Sequence, residues 1–133
     1  MSARSLNASP VNPRLEVRPV GRKGRGVFAA VPIGAGDLLE AAPTVEITDD
    51  IVPGSRLDDY PFAHPDDPKW GLIVFGLVSL MNHADDPNTV ETKRHVDGLG
   101  WIVETRAARD IASGEEITRR YACELWFEPE EPG

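Results

Sequence analysis

The segment of this sequence with the widest range of chemically capable side chains is NHADDPN, residues 82–88, which holds two amides, an imidazole and two carboxylates. It directly follows WGLIVFGLVSLM, residues 70–81, a mostly apolar run suited to burial. The amide of Asn82 can donate to a carboxylate or accept from an ammonium, and a neutral His83 has one donor and one acceptor nitrogen. The pattern predicts a turn, a metal site or a ligand pocket beside the core.

A metal site is the least favoured of these three. His83, Asp85 and Asp86 have ligating side chains, but three near neighbours in a chain rarely converge on one ion, and there is no second histidine-rich cluster. The single cysteine, Cys123, also argues against a cysteine-rich zinc site and an internal disulfide framework. We therefore expect no metal. A plainer interpretation stays open, in which Asn82 caps a helical turn and His83 is a buried, hydrogen-bonded side chain.

Two other segments carry residues that suit a ligand. GRKGRG, residues 21–26, is a basic loop in which Gly24 and Gly26 permit positive φ or a close approach of the backbone to a ligand, although a tight surface turn would need the same glycines. Near the C-terminus, Tyr121 precedes Trp126 and Phe127, whose rings could line a channel, stack on a base or simply pack.

The elements that must position these residues are predicted to be short. Twelve glycines and twelve prolines in 133 residues favour strands and turns over long helices. Strand patterns occur at 15–20, 27–31, 38–47 (one or two strands broken by Pro43), and 90–96 with 101–107, which form a hairpin about DGLG.

Two segments are less regular. Residues 48–69, with four prolines and six aspartates, predict a long surface loop. Residues 70–81 fit a buried strand, a helix, or a strand followed by a helical turn about Gly76. The whole is one mostly β domain.

Charge is distributed unevenly along the chain. The net charge is −8, but residues 1–30 carry six basic and one acidic side chain, so the remaining residues hold the acidic excess. An acidic body should repel nucleic acid and attract basic proteins, unless the acids only confer solubility. Residues 1–14 lack a signal-peptide core, and the longest apolar run is shorter than the roughly 20 residues of a membrane span. We expect a cytoplasmic protein.

Three segments, in this order, resemble the SET domain of protein lysine methyltransferases, most closely the compact free-standing bacterial type: GRKGRGVFAAVPIGAGDLLE, LVSLMNHADDPNTVE and ASGEEITRRYACELWF. The resemblance implies a β-clip SET fold with several short strands in small sheets, a short helix or 3-10 turns, and a knot-like C-terminal segment. It places the SET domain at residues 14–127, after a flexible arm at 1–13 and before an acidic tail at 128–133.

The resemblance also implies methyl transfer from S-adenosylmethionine to the side-chain amine of a lysine in a protein. Tyr121 would be catalytic, orienting the amine and the methyl group. The cofactor-binding residues it implies are Lys23, Gly24, Arg25, Gly26, Asn82, His83, Trp126 and Phe127. The substrate channel it implies is formed by Phe75, Arg119, Tyr121 and Trp126.

The sequence departs from the family pattern beside the catalytic tyrosine. Arg119 stands where an aromatic side chain is common, and Arg120 follows it. A guanidinium in the channel would repel a lysine ammonium. Either Arg119 turns away, or it pairs with an acid such as Glu115 or Glu116, or the activity is weak or altered. Asp85 replaces the usual cysteine of the Asn-His motif.

The sequence is therefore consistent with two functions. The first is a lysine methyltransferase that acts on a basic protein with an accessible lysine and binds neither nucleic acid nor membrane. The alternative is a catalytically weak or inactive SET-like module that binds S-adenosylmethionine or a basic protein. The sequence leaves the oligomeric state open, with a homodimer among the options.

Overall fold

The computed structural model describes residues 12–21, 24–48 and 61–121. These residues form nine strands and one 3-10 helix at Leu77–Leu80. The strands are β1 Leu15–Pro19, β2 Arg25–Ala29, β3 Leu38–Thr48, β4 Phe62–Ala63, β5 Trp70–Val74, β6 Asn82–His83, β7 Thr89–Val96, β8 Gly100–Ala107 and β9 Glu116–Arg119. The predicted mostly β class is confirmed. None of the described helical residues forms a segment long and apolar enough to cross a membrane.

The first sheet brings the polar NHADDPN segment beside the end of the described chain. Its strand order is β1-β2-β9-β6. The β6–β9 pair is parallel, with Asn82 opposite Thr118 and His83 opposite Arg119. A parallel pair needs a long connection, and the β7–β8 hairpin lies within it. Residues far apart in sequence thus meet at one sheet edge.

The second sheet has the order β4-β5-β3-β8-β7. The predicted hairpin is confirmed, and its strands pair from Thr89 and Ala107 to Val96 and Gly100. The predicted break at Pro43 is wrong, because β3 is continuous through it. The proline stands where β3 stops pairing with β8 and starts pairing with β5. Its missing N–H therefore interrupts neither ladder in the middle.

Residues 70–81 adopt the third of the predicted arrangements, a strand followed by a helical turn. Both N-terminal amides of the 3-10 helix, those of Leu77 and Val78, donate to the carboxylate of Glu40 at 2.7 and 3.0 Å. A Cβ at Gly76 would lie 2.6 Å from the same carboxylate and 2.9 Å from the Cβ of Ala42, which is attached directly to the β3 backbone, so this position favours glycine. The helix then leads through buried Met81 into β6.

The prediction of a surface loop over 48–69 is partly wrong in the described portion. Phe62 begins β4, pairs with Leu72 and is buried. Its ring joins a core that lies between the two sheets. Fully buried members of that core include Leu15, Val27, Leu72, Val78, Val103 and Ile117.

Candidate functional site

The site begins where Asn82 meets the glycine loop. The amide nitrogen of Asn82 donates to the carbonyl of Arg25 at 3.1 Å and to the Glu116 carboxylate at 2.7 Å. A Cβ on Gly26 would lie 2.6 Å from that carboxylate and 2.9 Å from the Asn82 amide. Gly26 is therefore needed because two polar side chains lie against β2. Gly24, with φ +88°, is needed for its backbone conformation.

His83 connects β6 to the catalytic candidate. The backbone N–H of Tyr121 donates to His83 Nδ1 at 3.0 Å, and the two rings meet edge to face at 5.3 Å. Because Nδ1 accepts, the proton of the neutral ring resides on Nε2, which lies 3.0 Å from Asp85 Oδ1. The interpretation of Asn82 as a helix cap is wrong, since Asn82 is a strand residue.

Tyr121 is fixed at both its backbone and its hydroxyl. The hydroxyl donates to the carbonyl of Met81 at 3.0 Å. Since its proton is used there, the phenol oxygen presents lone pairs to any other group. Such an oxygen can accept from an ammonium or stabilise a positive charge.

Asn88, the last residue of NHADDPN, holds β9 in place. It is only 2% exposed. Its Oδ1 accepts from the Thr118 amide at 2.9 Å, and its Nδ2 donates to the Glu116 carbonyl at 2.9 Å. The side chain of Asn88 thus bonds to the β9 backbone as a neighbouring strand would, just before Arg119 and Tyr121. The sequence alone does not predict this role for Asn88.

Arg119 pairs with an acid, but not with Glu115 or Glu116. The residue is 6% exposed, and its guanidinium donates through Nε and Nη2 to the carboxylate of Glu91, the second contact at 3.2 Å. Its carbon lies 3.9 Å from the centre of the Phe62 ring and 5.1 Å from that of Tyr121.

Arg120 is placed differently from Arg119. It is exposed and donates to the Asp85 carbonyl at 2.8 Å. Asp85, the residue that departs from the family pattern, thus contacts His83 through its side chain and Arg120 through its backbone. The two positions that differ from the family pattern, Asp85 and Arg120, are therefore in direct contact.

The charges around Glu91 include one more side chain. Burial lowers the pKa of Lys93 below its usual value, the negative charge of Glu91 raises it, and the positive charge of Arg119 lowers it further. Glu91 thus interacts with two cations, Arg119 beside Tyr121 and Lys93 on its own strand. Sequence analysis missed both Glu91 and Phe62. The alternation of the β7 strand could have placed Glu91 on the buried face, but not beside Arg119.

The structure brings together most, though not all, of the predicted site residues. Those that converge around β2, β6 and β9 are Gly24, Arg25, Gly26, Asn82, His83, Arg119 and Tyr121. Phe75 instead is 59% exposed and lies beside a cavity of about 420 Å³, together with Arg14 and Leu77. Lys23, Trp126 and Phe127 lie outside the described residues, as does most of the predicted knot-like C-terminal segment.

The fold and these contacts define a protein with a polar site at the junction of two small sheets, and comparison with known proteins gives its family. Residues 24–122 match the SET domain. The chain belongs to the SET-domain family, as the three sequence segments predicted.

Relatives of known sequence are similar to this chain over different lengths. A Schizosaccharomyces pombe histone-lysine N-methyltransferase, specific for lysine 37 of H3, is 33% identical over 120 residues, which are 87% of this chain and 78% of that protein. The Danio rerio N-lysine methyltransferase SMYD2-B is 37% identical over 51 residues, 38% of this chain and 11% of that protein.

Solved structures share the fold. A candidate histone methyltransferase of Plasmodium falciparum superposes with a TM-score of 0.70 at 24% identity, over 85% of this chain and 96% of that one. The Chaetomium thermophilum Polycomb Repressive Complex 2 bound to S-adenosylmethionine gives 0.64 at 23% identity, over 81% of this chain and 15% of that one. At these identities the similarity establishes the fold alone.

Proposed function

We propose that this chain transfers a methyl group from S-adenosylmethionine to the side-chain amine of a lysine in a protein. The observation that carries the proposal is the fixation of Tyr121 by Met81 and His83, where the segments that resemble the family converge. Support also comes from the S. pombe relative, whose name gives it histone-lysine methyltransferase activity.

The residues present suit the cofactor. S-adenosylmethionine supplies an activated methyl group on its sulfonium when bound. Gly24 leaves the backbone of the loop open to close approach, whereas the space at Gly26 is taken by the Asn82 amide and the Glu116 carboxylate. Asn82 lies beside that loop with its Nδ2 bonded to Arg25 and Glu116, so its Oδ1 is the atom that can accept from the ammonium of the methionine part. His83 is the next residue of β6, and its ring is the candidate contact for the adenine. We infer that the cofactor would lie between the glycine loop and the side chains of Asn82 and His83.

Tyr121 would orient the acceptor. Its hydroxyl proton is directed to the Met81 carbonyl, so its oxygen can accept a hydrogen bond from the incoming amine. Accurate alignment of the amine with the methyl group is the main contribution that a protein makes to such a transfer. The tyrosine need not remove a proton itself.

We infer that the substrate is a basic protein. The net charge of −8 favours association with a basic partner, and the S. pombe relative acts on a histone. Four further points stay predictions. They are the absence of nucleic-acid and membrane partners, the cytoplasmic location, the option of a homodimer, and the domain limits at residues 14 and 127.

The alternative, a catalytically weak or inactive SET-like module, rests on the Arg119–Arg120 pair and on the small size of the chain. The structure weakens that basis, because Arg119 is paired with Glu91 and Arg120 donates to the Asp85 backbone. Arg119 is thus charge-compensated, and Arg120 is exposed, with its guanidinium directed to the Asp85 backbone.

The test is transfer of labelled methyl groups from S-adenosylmethionine to purified core histones and ribosomal proteins, by this chain and by Tyr121→Phe. We expect labelled lysine with the unchanged chain, and a reduction of about 100-fold or more with the variant, since positioned catalytic groups contribute on that order. Equal labelling by the two proteins would remove Tyr121 from the mechanism. No labelling by either, with S-adenosylmethionine still bound, would favour the module without turnover.

A further inference from the structure

Arg119 of the predicted channel lies beside Tyr121, and its partner Glu91 is not among the predicted site residues. We propose that Glu91 is a positioning residue for methyl transfer: it holds Arg119 as a fixed, charge-compensated wall between the rings of Phe62 and Tyr121. This inference rests on the proposed function. It assigns a role to Glu91 of β7, the last residue of the segment LVSLMNHADDPNTVE, to which the resemblance gives no function.

The contacts leave Arg119 a single arrangement. Two of its nitrogens donate to the two oxygens of Glu91, and one face of its planar guanidinium lies on Phe62. A buried cation is stable only when it is paired and hydrogen-bonded. Without Glu91, the guanidinium would have to find another acceptor or reach water, and either movement would withdraw it from Tyr121.

Arg119 completes the surroundings of the tyrosine. His83 holds the Tyr121 backbone, Met81 holds its hydroxyl, and the guanidinium lies 5.1 Å from the ring centre. His83 also meets the ring edge to face, and Arg119 adds a contact over the ring. Loss of this contact should therefore let the ring plane rotate.

The charge of Glu91 matters as much as its geometry. With Glu91 ionised, the pair is neutral overall and an incoming ammonium meets little repulsion. With Glu91 neutralised, Arg119 and the nearby Lys93 leave uncompensated positive charge beside the acceptor. Such charge disfavours a bound ammonium, so it weakens substrate binding and lowers the pKa of the bound amine.

The experiment compares Glu91→Gln with Glu104→Gln. Glu104 also receives two arginines, Arg94 and Arg106, but pairs across the hairpin with Thr92 and so lies on its opposite face. For each protein, kcat and KM are measured against pH with core histones as the probe, the affinity for S-adenosylmethionine is measured by calorimetry, and the exchange of the Tyr121 amide proton is measured by NMR.

For Glu91→Gln we expect unchanged cofactor affinity, a kcat reduced about tenfold, a raised KM and faster exchange of the Tyr121 amide. The inflection of kcat should move to lower pH by about half a unit, because kcat reports the pKa of the bound amine. Glu104→Gln should match the unchanged chain in every measurement. Equal behaviour of the two variants would overturn the inference.

A second variant keeps the test decisive if Glu91→Gln does not fold. Glu91→Gln combined with Arg119→Met removes both charges, a change that buried pairs often tolerate. It should restore folding and the pH inflection, yet keep kcat below that of the unchanged chain. Full activity of this double variant would show that the pair has no positioning role. If the unchanged chain methylates nothing, the proposed function fails, and amide exchange in the variants still decides whether Glu91 positions Tyr121.

Discussion

Two glutamates of the β7–β8 hairpin have similar surroundings but different consequences. The side chains of Glu91 and Glu104 are 14% and 15% exposed, and each binds arginine. The partner of Glu91, Arg119, is nearly buried, whereas Arg94 and Arg106, the partners of Glu104, are largely open to solvent. The difference teaches that the burial of the cation, rather than that of the carboxylate, decides how much a pair constrains the protein. The Glu91–Arg119 pair, which faces the site, is therefore fixed. In the pairs of Glu104, which face solvent, water can replace the arginine as the partner of the carboxylate.

The largest expected effect follows from removing one arginine from each face. Arg119→Met removes the arginine that is hydrogen-bonded to the nearly buried carboxylate of Glu91, which should cost about 3–5 kcal/mol of the free energy of unfolding. Arg94→Met removes an exposed guanidinium and should cause no measurable loss. Urea unfolding followed by circular dichroism measures both. If the two losses were equal, burial of the cation would not be the deciding property.

The next effect compares a glycine at the site with one at the surface. Gly26→Ala places a methyl group against Glu116 and Asn82, so it should destabilise the fold by about 1–3 kcal/mol and weaken binding of S-adenosylmethionine. Gly34→Ala places its methyl group at an ordinary contact distance of 3.6 Å from Asp37 and should be tolerated. Thermal unfolding and calorimetry distinguish them. A stable Gly26→Ala protein with normal binding would show that the packing against β2 is not required.

The smallest expected effect is on the pH dependence of the melting temperature. Removing a charged side chain should have opposite effects on the two faces of the β7–β8 hairpin. Burial lowers the pKa of Lys93, so its protonation opposes folding at neutral pH, and Lys93→Met should raise the melting temperature there. The gain should disappear as the pH rises past the usual lysine value of 10.5, where the unfolded chain also loses this proton.

Glu104 provides the matching contrast. Its hydrogen bond from Arg94 lowers the pKa of its carboxyl group. Its stabilising contribution is therefore present above the usual value of 4.5 and is lost as the pH falls through the lower value of the folded state. Melting temperatures of Lys93→Met and Glu104→Gln across pH 3 to 11 measure both. A gain from Lys93→Met that persisted above pH 11 would exclude titration of this lysine as the cause.

Much of the fold could be predicted from local sequence. The hairpin follows from two β-rich runs about DGLG, and the strand and helical turn of residues 70–81 were among the expected arrangements. The continuity of β3 could not be predicted, because only the change of partner strand makes Pro43 acceptable. Phe62 was hidden in a segment whose prolines and aspartates indicate a loop.

The site residues that lie within a single recognisable segment could be predicted from the sequence. Contacts between segments that are far apart in the chain could not. Asn82, His83 and Tyr121 are found together as the resemblance implied. The partner of Arg119 could not be found from spacing, because Glu91 lies 28 positions away on another sheet. Nearer acids, Glu115 and Glu116, looked equally suitable in sequence but bind Asn88, Ala112 and Asn82 instead.

The central claim, a cofactor site formed by the glycine loop, Asn82 and His83, is tested most directly by calorimetric titration of S-adenosylmethionine into the purified protein. His83→Ala removes the contact to Tyr121, and His95→Ala, at the exposed end of the hairpin, is the control. We predict binding by the unchanged chain and by His95→Ala, with a dissociation constant on the order of micromolar or about −8 kcal/mol, and loss of binding in His83→Ala. Absence of binding by the folded, unchanged chain, or equal binding by all three proteins, would contradict the account.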